Sequence, residues 1–367
     1  MKIEVYSPTI RRKEMDAVLT VLVEEKIGPG EQARYLIQIA KEEFHFDYSL
    51  VLRSPVTALF LALSLFKSGG AEQKEPQNNE EEATESERNP LRKDGVLISA
   101  LSPCYYLNVI RDAGMIPVVC DVEANSGSVC VASIESALEK AAGELNVCCM
   151  VLHESLGYLP DIQAISELGI PIIEDCSSAY GSVLSGKKAG TFGALTILGL
   201  EERDLLTAGG GALLFATERR NAAVLRNLPE LPPEYALPDM NAVMALVQCR
   251  EAARNAVKRN EIAAIYTEAA MRGRHKRFIQ AEDFEYNNYA FPLILETGMK
   301  DIAAYAKKQD ITVESAFSGT LIGAGLIPAQ TCPVAYSLSL RTALFPIYPR
   351  LSPANASKVA KLIQTLP

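Results

Sequence analysis

"GIPIIEDCSSAYGSVLSGKKAGTFG", residues 169–193, opens as an apolar run and closes in a glycine-punctuated stretch. A short apolar run introduced by Gly-Ile-Pro reads as a strand covered on both faces. Asp175 stands at its end. A charge at the end of a buried strand needs a partner or a purpose. "SGKKAG" then reads as a turn.

Similar runs lie on either side. They are "GVLISAL" (95–101), "IPVVCDV" (116–122), "VCCMVLHE" (147–154), "ALTILGL" (194–200) and "GALLFAT" (211–217). Most lack strict in-out alternation, as expected of strands buried on both faces. Helical periodicity fills gaps between them in "VTALFLALSLF", "VASIESALEKAAGE" and "DIQAISEL". Alternating strand and helix predicts an α/β fold with a mostly parallel sheet flanked by helices. A long helix is expected over residues 241–271. After it come a strand in "NNYAFPLILET" and a last helix in "SPANASKVAKLIQTL". The expected organisation is a large α/β domain over 1–240, followed by a connecting helix and a small α+β domain over 241–367.

Residues 68–95 break this texture. They carry eight acidic and four basic side chains and few large apolar ones. Such a segment cannot bury enough surface to offset ordering, so it reads as a flexible acidic insertion. An interaction tail is the functional alternative.

The whole chain has 367 residues and a net charge of −9, which argues against nucleic acid or an anionic membrane as the partner. No apolar run reaches membrane-spanning length. "MKIEVYSPTI" has no basic region leading into an apolar one, so no secretory signal is expected. Eight cysteines without a CxxC pair, several in apolar runs, suit free thiols in a reducing cytoplasm. Three dispersed histidines give no local metal motif.

Taken together, the quoted stretches resemble the DegT-type nucleotide-sugar aminotransferases, fold-type I enzymes that use pyridoxal phosphate (PLP). Residues 169–193 resemble their I-E-D-x-x-Q-x-H-G pattern and the turn after it. "RSPVTALFLAL" (53–63) resembles S-G-T-A-A-L-x-L-A-L. "AGMIPVVCDVEANSGSV" (113–129) resembles G-A-x-P-V-F-V-D-I-D. "VLHESLGYLPDIQAI" (151–165) resembles V-H-L-Y-G-x-x-x-D-M-x-A-I. "TAGGGALLFAT" (207–217) resembles T-T-G-E-G-G-x-x-x-T. The order and spacing of these pieces carry the resemblance over most of the chain. It implies a fold-type I PLP-transferase architecture and a homodimer.

The chemistry the family needs is a lysine amine for the Schiff base, a carboxylate for the pyridine nitrogen and donors for the phosphate. By this resemblance Asp175 is the carboxylate; the simpler alternative is an Asp capping the next turn. The lysine position falls on Arg203, whose guanidinium cannot serve as a Schiff-base amine. The nearest lysines, Lys187 and Lys188, belong to the "SGKKAG" turn. The phosphate loop becomes Ser54, Pro55 and Val56. Pro55 has no N–H and Val56 no hydroxyl, so Ser54-Pro55 reads foremost as a helix start. Glu234 and Ala236 stand where the family has an Asn and an Arg that cross to the partner's phosphate site. A carboxylate there repels a dianion. Ser178 replaces a glutamine, Tyr180 a histidine and Gly209 a glutamate. Ser54, Ser178, Tyr105 and His153 complete the set that the resemblance places around a cofactor. For Tyr105 and Tyr106, core or interface packing is the competing reading. The charged run Glu201, Glu202, Arg203 and Asp204 reads as solvated surface.

The expectation is therefore an aminotransferase-like protein of sugar-nucleotide or surface-polysaccharide metabolism that does not transaminate. PLP is implied by the resemblance alone, without a covalent anchor or not held at all. Expected partners are a second copy of the chain, an active paralogue in a heterodimer, and a nucleotide-sugar ligand. The alternative is an active sugar aminotransferase or dehydratase-like enzyme with an atypical cofactor site.

Overall fold

The computed structural model describes residues 2–67 and 92–367. Most of the acidic stretch 68–95 lies outside the described residues. Its last part is no insertion: Lys93, Asp94 and Gly95 open a strand. Backbone pairing decides this. Lys93 sits opposite Leu145 at the start of a parallel ladder that overrides the polar composition.

Two helices come first, α1 (Arg12–Val23) and α2 (Glu31–Phe44). Strand β1 (Tyr48–Leu52) leads into α3 (Pro55–Ser64). Then follow β2 (Lys93–Ser99), α4 (Tyr105–Asp112), β3 (Ile116–Cys120), α5 (Val131–Ala141), β4 (Leu145–His153), the short α6 (Ile162–Ser166) and β5 (Ile172–Asp175). Strand β6 (Leu195–Gly199), β7 (Ala212–Ala216) and α7 (Arg219–Arg226) complete this part. The seven strands form one sheet in the order β1-β7-β6-β5-β4-β2-β3. The run from β6 to β3 is parallel; at one edge β7 runs against it, and β1, antiparallel to β7, returns to the common direction.

Side chains alternate across the sheet as the pleat requires. Val96 and Ile98 pack with Leu59, Leu63 and Ile110 on one face. Leu97 and Met150 pack with Ile134 and Ile162 on the other. The chain passes from β2 to β3 on one side of the sheet order and from β4 to β5 on the other. This reversal opens a crevice at the carboxyl ends of the strands, where open α/β sheets bind ligands.

Helix α8 (Asp239–Met271) runs 33 residues and packs against α1, α2 and the final helix. Beyond it lie β8 (Phe291–Ile294), α9 (Met299–Lys307), β9 (Glu314–Ser315), α10 (Pro333–Arg341), β10 (Thr342–Phe345) and α11 (Pro353–Gln364). The strands pair antiparallel in the order β8-β10-β9. Ile3 bridges to Ile311, so the amino end belongs with this second cluster. Among the described residues no helix is long and apolar enough to cross a membrane.

The start of α3 shows how local chemistry sets the frame. The Ser54 hydroxyl accepts the Thr57 N–H at 3.2 Å, and Pro55 takes the first helical position. Both are favourable there, since Pro gives up an N–H that would find no partner in the helix. Ser54→Ala is expected to cost about 1 kcal/mol, read from the denaturation midpoint. A change below a few tenths would mean the cap contributes nothing.

Candidate functional site: a carboxylate pocket at the ends of three strands

Strands β4 and β5 are in register, so His153 lies opposite Asp175 and Leu152 opposite Glu174. Alternation sends Asp175 to the face covered by α4 and Glu174 to the opposite one. All three polar side chains at these strand ends, together with Glu154, are buried or nearly so.

The acceptors of Asp175 are filled by its own neighbours. Oδ1 takes the Ser177 N–H at 3.1 Å and the Ser177 hydroxyl. Oδ2 takes the Tyr106 hydroxyl and faces His153 Nδ1 at 3.6 Å. Three hydrogen bonds thus end on the carboxylate, and His153 Nδ1 stands beyond hydrogen-bond range of it. Burial opposes the charge of Asp175, but His153, Ser177 and Tyr106 outweigh it and hold its pKa below the ordinary value. The turn-capping role read from the sequence is present in the Ser177 N–H bond.

Glu174 holds up the next segment. Its carboxylate accepts the N–H of Gly190, and those of Phe192 and Gly193 at 2.8 Å each. Beside it, Glu154 is fully buried and without a donor for either oxygen. Burial first, and the neighbouring Glu174 second, push the Glu154 pKa well above the ordinary value. Burial also raises the Glu174 pKa, against the pull of its three N–H donors and of Glu154, so Glu154 is the carboxyl held more strongly in its acid form.

Arg203 stands away from this pocket. Its side chain is 61% exposed, pairs with Glu314 of β9 at 2.9 Å and lies 5.7 Å from the Tyr6 ring centroid. Asp204 points inward instead. Its Oδ2 accepts the Glu201 N–H at 2.8 Å, and burial, reinforced by Asp175 and Glu201, pushes its pKa up to about 7. Glu201, Glu202 and Arg203 are exposed as read from sequence, and Asp204 alone departs from that reading. Gly199 makes the packing possible, because a β-carbon there would collide with the Asp204 carboxylate and the Ser177 hydroxyl.

The other candidate residues are distributed as follows. Tyr105 packs edge-on against Tyr106, ring centroids 5.0 Å apart, and its hydroxyl neighbours that of Tyr106. The tyrosine that reaches Asp175 is Tyr106. Ser178 is tied to the 287–289 segment, its carbonyl accepting Asn287 Nδ2 at 2.8 Å and its hydroxyl pairing with Tyr289. The Ser54 hydroxyl is used by its helix. The backbone of Tyr235 and Ala236 lies against Leu52 and Arg53, which places the Glu234 turn next to the start of α3 within the same chain. Ser177 and Glu154 were not singled out from sequence, and Tyr106 was named only beside Tyr105 as a ring-stacking residue. A hydroxyl two residues after a strand-end Asp, in Asp175-x-Ser177, is the local signal that was available.

A model of the DegT/DnrJ/EryC1/StrS aminotransferase family matches residues 8–364. The chain belongs to that family. Among curated relatives it is 29% identical over 125 residues to GDP-perosamine synthase of Vibrio cholerae, which covers 33% of each protein. It is 24% identical over 283 residues to GDP-perosamine synthase of Escherichia coli O157:H7, covering 72% of this chain and 70% of that protein. The matches to the V. cholerae protein and to a Saccharopolyspora spinosa aminotransferase span only 33% and 53% of those relatives' lengths. Solved structures share the fold. The putative sugar aminotransferase Spr1654 of Streptococcus pneumoniae in its PLP form superposes with a TM-score of 0.83 at 16% identity, over 100% of this chain and 98% of that one. TlmJ of Streptoalloteichus hindustanus gives 0.82 at 19% identity, over 99% and 98%. These likenesses establish a fold-type I architecture, as the sequence implied.

The family is PLP-dependent, so the pocket can be tested against that group. The residues present do not fit it. The resemblance puts the Schiff-base position on Arg203, and Lys188 is engaged with Glu43 at 2.7 Å. Asp175, which the resemblance assigns to the pyridine nitrogen, already accepts three hydrogen bonds from within the chain. Pro55 offers no N–H at the phosphate loop, and the Ser54 hydroxyl is already bonded.

Proposed function

We propose that this chain is a family member that keeps the sugar-aminotransferase fold but does not transaminate, and acts by binding. The observation that carries the reading is the closure of Asp175 on Ser177, Tyr106 and His153. A pyridinium nitrogen that displaced Ser177 or Tyr106 would leave a buried hydroxyl unpaired at about 1–3 kcal/mol. Arg203 supplies no amine to offset that cost. The names of the relatives, several acting on GDP-, dTDP- or UDP-linked sugars, support a nucleotide sugar as the ligand class. In this reading the chain works as a homodimer or beside an active relative.

The test is a visible spectrum of the purified protein with and without added PLP, then borohydride reduction and intact mass. The expected result is no protein-bound visible band and no phosphopyridoxyl adduct. Arg203→Lys alone is expected to leave both unchanged, because the Asp175 contacts and Pro55 remain. A yellow wild-type protein, or an adduct gained by the single Arg203→Lys change, would overturn the proposal.

A further inference from the structure

On the outer side of the 201–206 loop, a groove of about 330 Å³ lies between α8, the segment after β5 and residues 285–287. Leu206 and Tyr180 supply apolar wall, and α8 lays Asn255, Ala256 and Arg259 along it. Arg259 is only 6% exposed. Its Nη1 donates to the carbonyls of Tyr289 and Ile347, both at 3.1 Å. Its Nε has no partner, and no carboxylate among the described residues lies within ion-pair range. The Oδ1 of Asn255, one turn earlier on the same helix, also lacks a donor. Two carboxylates face the groove. Glu43 is neutralised by Lys188 at 2.7 Å, and Glu285 is exposed.

A buried, uncompensated guanidinium is costly, and a strut role explains only its Nη1 bonds. Burial disfavours its charged form, and an anion in the groove would repay that. The unpaired Asn255 oxygen asks for a hydroxyl donor at the same place. We infer that this groove binds a small hydroxylated oxyanion, a sugar acid or sugar phosphate, with its anionic oxygen on Arg259 and a hydroxyl on Asn255. The site is separate from the Asp175 pocket and does not depend on whether the chain transaminates.

The experiment is thermal unfolding of the full chain against D-glucuronate, glucose 6-phosphate and glucose, at ionic strength matched with sodium chloride. The expected result is a saturable rise of a few degrees in Tm with at least one of the two anions and none with glucose. A response to glucuronate alone identifies a carboxylate ligand, and to glucose 6-phosphate alone a phosphate ligand. Ala256→Trp, an exposed helix position on the groove wall, should fold normally and abolish the rise. Asn255→Leu should weaken it while leaving the Arg259 carbonyl bonds in place. No rise with either anion, an equal rise with glucose, or a rise untouched in Ala256→Trp would each overturn the inference.

Discussion

Glu174→Ala is expected to lower the stability of this protein by about 3–5 kcal/mol, the range for leaving a buried ionic network without its acceptor. Three backbone N–H groups, those of Gly190, Phe192 and Gly193, end on its carboxylate. Gly190 and Gly193 are buried, so water cannot replace the lost bonds. Each unpaired N–H costs about 1–3 kcal/mol. Space offers no relief. A β-carbon at Gly193 would already touch the β-carbon of Glu174 at 2.8 Å, so the turn is packed on the strand by construction. Glu174→Gln preserves shape but turns an amide donor toward backbone donors, and should lose more than half as much. The measurement is the denaturant midpoint of each variant. A loss below about 1 kcal/mol in Glu174→Ala would mean the 190–193 turn is held by something else.

That carboxylate also shows where sequence reading succeeded and where it stopped. The apolar runs at 95–101, 147–154 and 169–176 each yielded a strand of the parallel sheet, because both-face burial leaves a one-dimensional trace. The register between β4 and β5 leaves no such trace. Hence the meeting of His153 with Asp175, and of Glu154 with Glu174, could not be read from spacing. Arg203 takes the lysine position from its offset to Gly210 and Gly211. Its neighbour Asp204 was misread as surface. In a run of four charged residues composition says solvent, and only the packing of Gly199 and Ser177 turns one of the four inward. The start of β2 failed for the same reason, since a polar Lys93-Asp94 pair becomes strand only once Leu145 and Asn146 lie alongside.

Glu154→Gln is expected to stabilise the protein at pH 8 by about 1–3 kcal/mol, and to be close to neutral below pH 4. The sign follows from linkage. In the unfolded chain Glu154 ionises near its ordinary value, about 4.3. In the fold, burial and Glu174 hold the proton on to a higher pH. Below the unfolded value Glu154 is protonated in both states and contributes no pH dependence. As pH rises, the unfolded state gives up its proton first, so wild-type stability declines from there up to the folded pKa. Glutamine has no proton to lose, and its amide N–H can donate to Glu174 as a carboxylic acid can. The Asp204 carboxyl, raised to about 7, contributes a decline of the same sign between about pH 4 and 7. Asp175, with its lowered pKa, acts oppositely, its contribution being present above its unfolded value and lost as acid titrates it. Both groups remain in the variant, so they cancel in the difference between variant and wild type. What isolates Glu154 is therefore the gap in Tm between the two proteins, measured at intervals from pH 4 to 8. A gap that widens steadily toward alkaline pH is the expected outcome. A gap independent of pH would mean Glu154 has the same proton affinity folded and unfolded, and its being held in the acid form would have to be abandoned.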